Sequence, residues 1–280
     1  MSKKKAMVVP AYNNPEFIDS AGARELRILS EFIEPKLRFN KNKIIDTIVF
    51  FGSARIKSEK EAKAKLREIK RSEKKTSRKY KTELAQAEKM LVMSRYYEEA
   101  VELSKRLTEW SMKLSEDEKR FIVCSGGGPG IMEAANKGAK LAGGDSIGLN
   151  ISIPFEQFGN RFLKPESTYE FHYFFMRKFW FVYLAKALIV FPGGFGTLDE
   201  FMEVITLMQT KKIKKNMKVI MYDEKFWKEI INFDKLIEYG TVGKSDLKLF
   251  DFCSSIDEVF EKVTTHFKKY YLNGASAKAK

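Results

Sequence analysis

The sequence predicts an α/β fold: a mostly parallel sheet with helices on both faces. Short apolar, β-branched runs alternate with segments of helical periodicity along almost the whole chain. Two strand-to-helix junctions are glycine-rich, Gly126-Gly127-Gly128-Pro129-Gly130 and Pro192-Gly193-Gly194-Phe195-Gly196. Open α/β sheets bind ligands at such strand carboxyl ends. No internal repeat is visible.

The first element is a helix over residues 14–38, where Ile18, Ala21, Leu26, Leu29, Phe32 and Ile33 recur at helical spacing. A buried strand follows at Ile44–Phe51 and ends in the turn Gly52-Ser53-Ala54-Arg55. Residues 58–114 contain neither Gly nor Pro and read as one long helical stretch. Its first half is polar; Leu84, Ala87, Leu91, Tyr97, Val101, Leu103 and Leu107 mark a packed second half. A strand at Phe121–Cys124 leads through the first glycine loop to a helix at Ile131–Leu141, with Pro129 expected in its first turn. Asp145–Ile151 is a third strand, 154–168 a loop, Tyr169–Phe174 a short strand and Phe175–Leu184 a short helix. Strand Ala187–Phe191, the second glycine loop and a helix over Thr197–Gln209 come next. Strand Met217–Met221, a helix over Glu224–Tyr239 and a last helix over Ser255–Tyr271 complete the pattern. In domain terms this is an N-terminal tail and helix (1–43), one α/β domain (44–272) with a Lys-rich helical insertion at 57–115, and a disordered tail (273–280).

Composition narrows the function classes. With 44% hydrophobic and 31% charged residues, the 280-residue chain is neither wholly disordered nor fibrous. No apolar run reaches the roughly 18 residues of a membrane span, and the N-terminus lacks a signal-peptide core. Cys124 and Cys253 have no CxxC neighbour, so a disulfide framework is not expected and a cytoplasmic location is. The net charge of +14 is concentrated: residues 57–81 carry twelve Lys/Arg against four Glu, and most of the remaining excess lies in the termini. That segment has no aromatic before Tyr80, so it lacks a stacking platform for single strands. It reads as a solvated helical face, and a nucleic-acid partner is not expected.

The chemistry is expected at the two glycine loops. Both present backbone N–H groups at a helix N-terminus, where the dipole favours an anion. Neither completes a Walker A motif, and the first departs from GxGxxG at Ile131. Together they point to the phosphate of a mononucleotide or sugar phosphate. Thr197 is placed to cap its helix or bind the anion. Just beyond it, Asp199, Glu200 and Glu203 crowd the start of a helix. Dipole stabilisation alone explains acids there, but a carboxylate beside a phosphate loop also suits an oxocarbenium-like transition state. Arg177, in an aromatic-rich helix, is the natural partner for that carboxylate or for a phosphate. His172 and His266 form no metal cluster.

The runs SGGGPGIMEAANKGA (125–139) and MRKFWFVYLAKALIVFPGGFGTLDEFMEVITLMQT (176–210) resemble the LOG (Lonely Guy) family. The family hallmark PGGxGTxxE is complete at Pro192, Gly193, Gly194, Gly196, Thr197 and Glu200, and the R-K element matches Arg177 and Lys178. FFGSAR resembles the family's first strand and turn, and GLNISIPFEQFGN the larger bacterial members. The resemblance implies a Rossmann-like three-layer sandwich, a homodimer, and hydrolysis of nucleoside 5′-monophosphates to free base and ribose 5-phosphate. It implies no cofactor and no metal. Glu200 would stabilise the ribosyl cation, with Arg177 orienting it. Gly193–Thr197, Phe195 included, and Gly126, Gly127, Gly128 and Gly130 would hold the phosphate; Ser53, Asn150, Lys178 and Glu203 are secondary candidates. The alternative is a non-catalytic nucleotide or molybdenum-cofactor carrier on the same architecture.

Overall fold

The computed structural model describes residues 8–71, 76–115, 118–153 and 159–272. The expected tail 273–280 and part of the 154–168 loop lie outside them. The N-terminal helical region is broken into α1 (Pro15–Ile18) and α2 (Arg24–Lys41). The break falls in the Asp19–Ala23 stretch, where Arg27 Nη1 takes up the carbonyls of Ile18 and Ser20. β1 (Thr47–Phe51) leads to α3 (Glu59–Lys70) and α4 (Arg78–Ser111). The single helix expected over 58–114 is thus two helices. Ser58 and Glu61 form a capping box on α3, and Ser77 accepts from the Tyr80 N–H to start α4 afresh.

β2 (Ile122–Ser125), α5 (Ile131–Leu141), β3 (Ser146–Ile151), β4 (Thr168–Phe171) and α6 (Phe174–Leu184) follow. Then come β5 (Ala185–Val190), α7 (Phe195–Gln209), β6 (Lys218–Tyr222), α8 (Glu224–Ile230) and α9 (Phe233–Glu238). β7 (Asp251–Cys253) and α10 (Ile256–Phe267) close the order. The helix expected over 224–239 divides at Asn232, whose side chain caps α9 by accepting from the Lys235 N–H. Pro129 precedes α5, since Gly130 is the N-cap.

Among the described residues, seven strands form one parallel sheet in the order β4-β3-β2-β1-β5-β6-β7. The two faces are covered by separate apolar clusters. Ile48, Phe50, Val123, Ile189 and Ile220 pack towards α4, α5 and α10; Val49, Leu149, Leu188 and Val219 pack towards α2, α6 and α7. Alternate β1 residues therefore serve opposite layers, which is why the strand reads as an unbroken apolar run. This is a Rossmann-like three-layer sandwich.

The second half of α4 is the crossover between β1 and β2, not a peripheral attachment. Tyr96, Tyr97, Ala100, Leu103 and Leu107 belong to the core, and Ser104 Oγ donates to the Ala135 carbonyl of α5 at 2.5 Å. α4 and α5 touch closely because Gly138 has no side chain: a Cβ there would lie 2.7 Å from Ser104 Cβ. Strand order reverses between β1 and β5, and the switch point opens a crevice at their carboxyl ends.

Candidate functional site

The crevice is pinned by the backbone of Ser53. Its N–H donates to the Pro192 carbonyl at 3.1 Å, and its carbonyl accepts from the Ile131 N–H at 3.1 Å. One residue at the exit of β1 thus joins both glycine loops. Gly130 packs against it with φ +72°, where a Cβ would meet the Ser53 carbonyl and lie 2.7 Å from Ala54 Cα. Glycine is required there by both conformation and space.

The resulting cleft has a volume of 720 Å³, and Ser53, Gly126, Arg177, Gly193, Thr197 and Glu200 are among the residues that line it. Gly194, Phe195 and Gly196 also reach it, Phe195 standing 94% exposed at its edge. Gly127, Gly128 and Gly130 do not line it. They are buried beneath it, where Asn160 Nδ2 donates to the Gly127 and Gly128 carbonyls at 3.1 and 3.2 Å and to Asn136 Oδ1 at 2.8 Å. Ser125 Oγ, which donates to Asn136 Oδ1, also accepts from the Gly127 N–H. The first glycine loop is therefore a scaffold, with Gly126 its contact to the cleft. Asn150 is buried against Gly127, its Oδ1 without a hydrogen-bond partner among the described residues, and also stays off the cleft. Pro192 faces an adjoining cavity.

α7 starts at Phe195 with Gly194 as N-cap and no side-chain cap, so Thr197 lies within the first turn and does not cap it. Thr197 instead packs on Gly193: a Cβ at Gly193 would sit 2.6 Å from Thr197 Cβ. This contact holds the loop close to the helix, with the backbone of its first turn at the cleft.

Arg177 Nη2 lies 3.8 Å from Glu200 Oε1, and both side chains are largely buried. The guanidinium is flanked by Phe174 and Phe181, at 5.1 and 5.6 Å from their ring centroids. Burial pushes the Glu200 carboxyl up to about 7, opposed by the positive charges of Arg177 and Lys178. Burial also lowers the Arg177 guanidinium, against the pull of Glu200. Lys178 points elsewhere. Its Nζ pairs with Asp199 at 2.6 Å and Glu203 at 2.9 Å, lining a separate groove with Phe175 and Phe179. Of the Glu/Arg/Lys candidates, only Arg177 and Glu200 share the cleft.

Arg55, Met132, Phe181 and Ile230 also line it. Arg55 closes the FGSAR run and was legible as a cation at a strand exit; Phe181 lies one helical turn after Arg177. Ile230, from α8, carried no sequence signal. His172 is exposed, its backbone N–H donating to Glu31, and His266 is paired with the Asn216 carbonyl. Among the described residues no group of three or more His, Cys, Asp or Glu could hold a metal ion. Cys124 and Cys253 are buried and unbridged. No helix of the described residues is long and apolar enough to cross a membrane.

Fold and cleft define a Rossmann-like α/β protein in which a buried carboxylate–guanidinium pair faces a glycine-rich helix start. A family model described as possible lysine decarboxylase matches residues 132–263. A protein of Oryza sativa subsp. japonica, named probable cytokinin riboside 5′-monophosphate phosphoribohydrolase LOG4, is 26% identical over 167 residues, covering 59% of this chain and 68% of that one. The Arabidopsis thaliana cytokinin riboside 5′-monophosphate phosphoribohydrolase LOG7 is 27% identical over 151 residues, or 53% of this chain and 64% of that one. The resemblance to the LOG family that the motifs carry is therefore borne out, and its named relatives are hydrolases. The Moco carrier protein from Chlamydomonas reinhardtii superposes with a TM-score of 0.42 and 20% identity, covering 62% of this chain and 89% of that one. A superposition that partial transfers no ligand.

Proposed function

We propose that this protein hydrolyses the N-glycosidic bond of nucleoside 5′-monophosphates, releasing free base and ribose 5-phosphate. The observation that carries this reading is the Arg177–Glu200 pair in one cleft with Gly193–Thr197. The 5′-phosphate binds at the start of α7, where free backbone N–H groups and the helix dipole favour an anion. The ribose then lies along α7 towards Glu200. As the bond from C1′ to the base nitrogen breaks, its electron pair leaves with the base, and positive charge grows on C1′ and the ring oxygen. The Glu200 carboxylate, itself buried, stabilises that charge. Water adds at C1′ and gives up one proton to solvent, while the departing base takes up one proton from solvent at a ring nitrogen. Arg177, held between two rings, keeps the carboxylate aimed without bonding it tightly.

The reading extends to a homodimer. Phe174, Phe175, Phe179 and Tyr183 of α6 and Met202 of α7 are exposed beside the cleft, an apolar surface that a second copy would cover.

The test is incubation of purified protein with AMP, GMP, CMP, UMP and isopentenyl-AMP, following free base by chromatography. Base and ribose 5-phosphate are expected from wild type. In Glu200→Gln, release should fall at least about a hundredfold while AMP still binds. Normal turnover by Glu200→Gln would overturn the assignment. Saturable AMP binding without turnover in wild type would leave a nucleotide carrier instead.

A further inference from the structure

The cleft does not end at the glycine loops. A second cavity of 310 Å³ adjoins it, and the two share Ser53, Arg55 and Gly193. Its walls come from the exit of β1, the outer half of α4 and the first turn of α8. Met90, Met93 and Phe226 are among its apolar lining residues, and Gln86, Lys89 and Arg55 add polar groups. Its size falls within the range of small-molecule sites, about 300–1,000 Å³.

The distribution of charge indicates what the two cavities have in common. In the first, Arg177 faces Glu200, and Lys178 is engaged outside it by Asp199 and Glu203. Arg55 is exposed and lines both cavities, and among the described residues its guanidinium has no ion-pair partner. Lys89, in the second cavity, is exposed and likewise unpaired among the described residues. A phosphate at Gly193 with its ribose towards Glu200 turns its outer oxygens towards Arg55 and this second cavity. Arg55 between the cavities and Lys89 in the second, neither ion-paired among the described residues, suit a pyrophosphate, whose charge is spread over two phosphoryl groups instead of one. The thioethers of Met90 and Met93 and the ring of Phe226 suit a flat aromatic group, and the Gln86 amide can both donate to and accept from a base edge.

We propose that the second cavity binds the distal half of a pyrophosphate-linked dinucleotide, with the pyrophosphate between Gly193 and Arg55 and the distal base against Met90, Met93 and Phe226. This rests on the phosphate position argued above. The outer part of α4 then sets which groups on the 5′-phosphate the protein accepts.

The experiment is titration calorimetry of the full chain with AMP and with diadenosine 5′,5″-pyrophosphate, in Glu200→Gln to prevent turnover. The dinucleotide should bind at least about tenfold more tightly than AMP. Met90→Trp and Met93→Trp, each filling the cavity, should bring that ratio to about one, and Arg55→Ala should weaken the dinucleotide more than AMP. Equal affinities before substitution, or a ratio that survives both tryptophan variants in folded protein, would overturn the inference. AMP binding without the dinucleotide gain would sink this inference alone. If neither nucleotide binds, the phosphate site itself falls and the inference falls with it. If the tryptophan variants do not fold, the ratio without them and the Arg55→Ala comparison still decide.

Discussion

Arg177 Nη2 and Glu200 Oε1 stand 3.8 Å apart, inside ion-pair range and beyond hydrogen-bond range. Glu200 therefore gains Coulombic support without being locked in a short bidentate bond. Desolvation outweighs that support, and the carboxyl sits at about 7. Both properties suit a group that must meet positive charge only when it forms.

The pH profile of base release should show this directly. If Glu200 acts as a carboxylate, kcat/KM rises with pH through about 7 and levels off above it. Arg177→Ala removes the opposing positive charge, so the rising limb should move to higher pH. A limb that stays in place in Arg177→Ala would mean that another group titrates there.

Stability should depend on the same group with the opposite slope. The folded carboxyl lies above its ordinary value of 4.5, so the native state binds more protons than the unfolded state between about 4.5 and 7. Its contribution is whole below 4.5 and is lost as pH rises through about 7. Glu200→Gln should therefore be more stable than wild type at pH 8, by on the order of 2–3 kcal/mol, and close to it at pH 4. Urea denaturation of both proteins at the two pH values measures the difference.

Gly130→Ala should destabilise by about 2–4 kcal/mol, because its Cβ would strike backbone at Ser53 and Ala54 and its φ is positive. Gly196→Ala, with nothing within 4 Å of the added Cβ, is the matched control and should unfold near the wild-type midpoint. Equal midpoints for the two alanine variants would refute this.

Asn160→Ala should cost about 1–3 kcal/mol, since it leaves the Gly127 and Gly128 carbonyls without their shared side-chain donor. AMP should bind less tightly as Gly126 loses its fixed position. Calorimetry at a temperature where the variant stays folded separates the two effects.

The sequence made the layered fold legible because its strands are buried on both sides; Ile48 and Val49 are apolar for opposite layers. It made Glu200 and Arg177 legible through motif spacing. β7 escaped because Asp251–Cys253 is three residues long, too short for a period to show. The break between α3 and α4 escaped because its residues carry no Gly or Pro, and only the Ser77 cap marks the new helix. Neighbours on a helix point about 100° apart, which is why Lys178 leaves the cleft that Arg177 enters. Nor could the sequence tell a glycine that lines the cleft from one that makes room: Gly126 lines it, while Gly127 and Gly130 yield to Asn150 and Ser53.

The two hydrogen bonds of the Ser53 backbone have a kinetic meaning as well. They join residue 53 to partners about 80 and about 140 residues further along the chain. Contacts of that span cost more loop-closure entropy to form than the turns of a helix do. During refolding, helical signal should therefore recover before nucleotide binding does, and the cleft should be among the last parts of the molecule to exist.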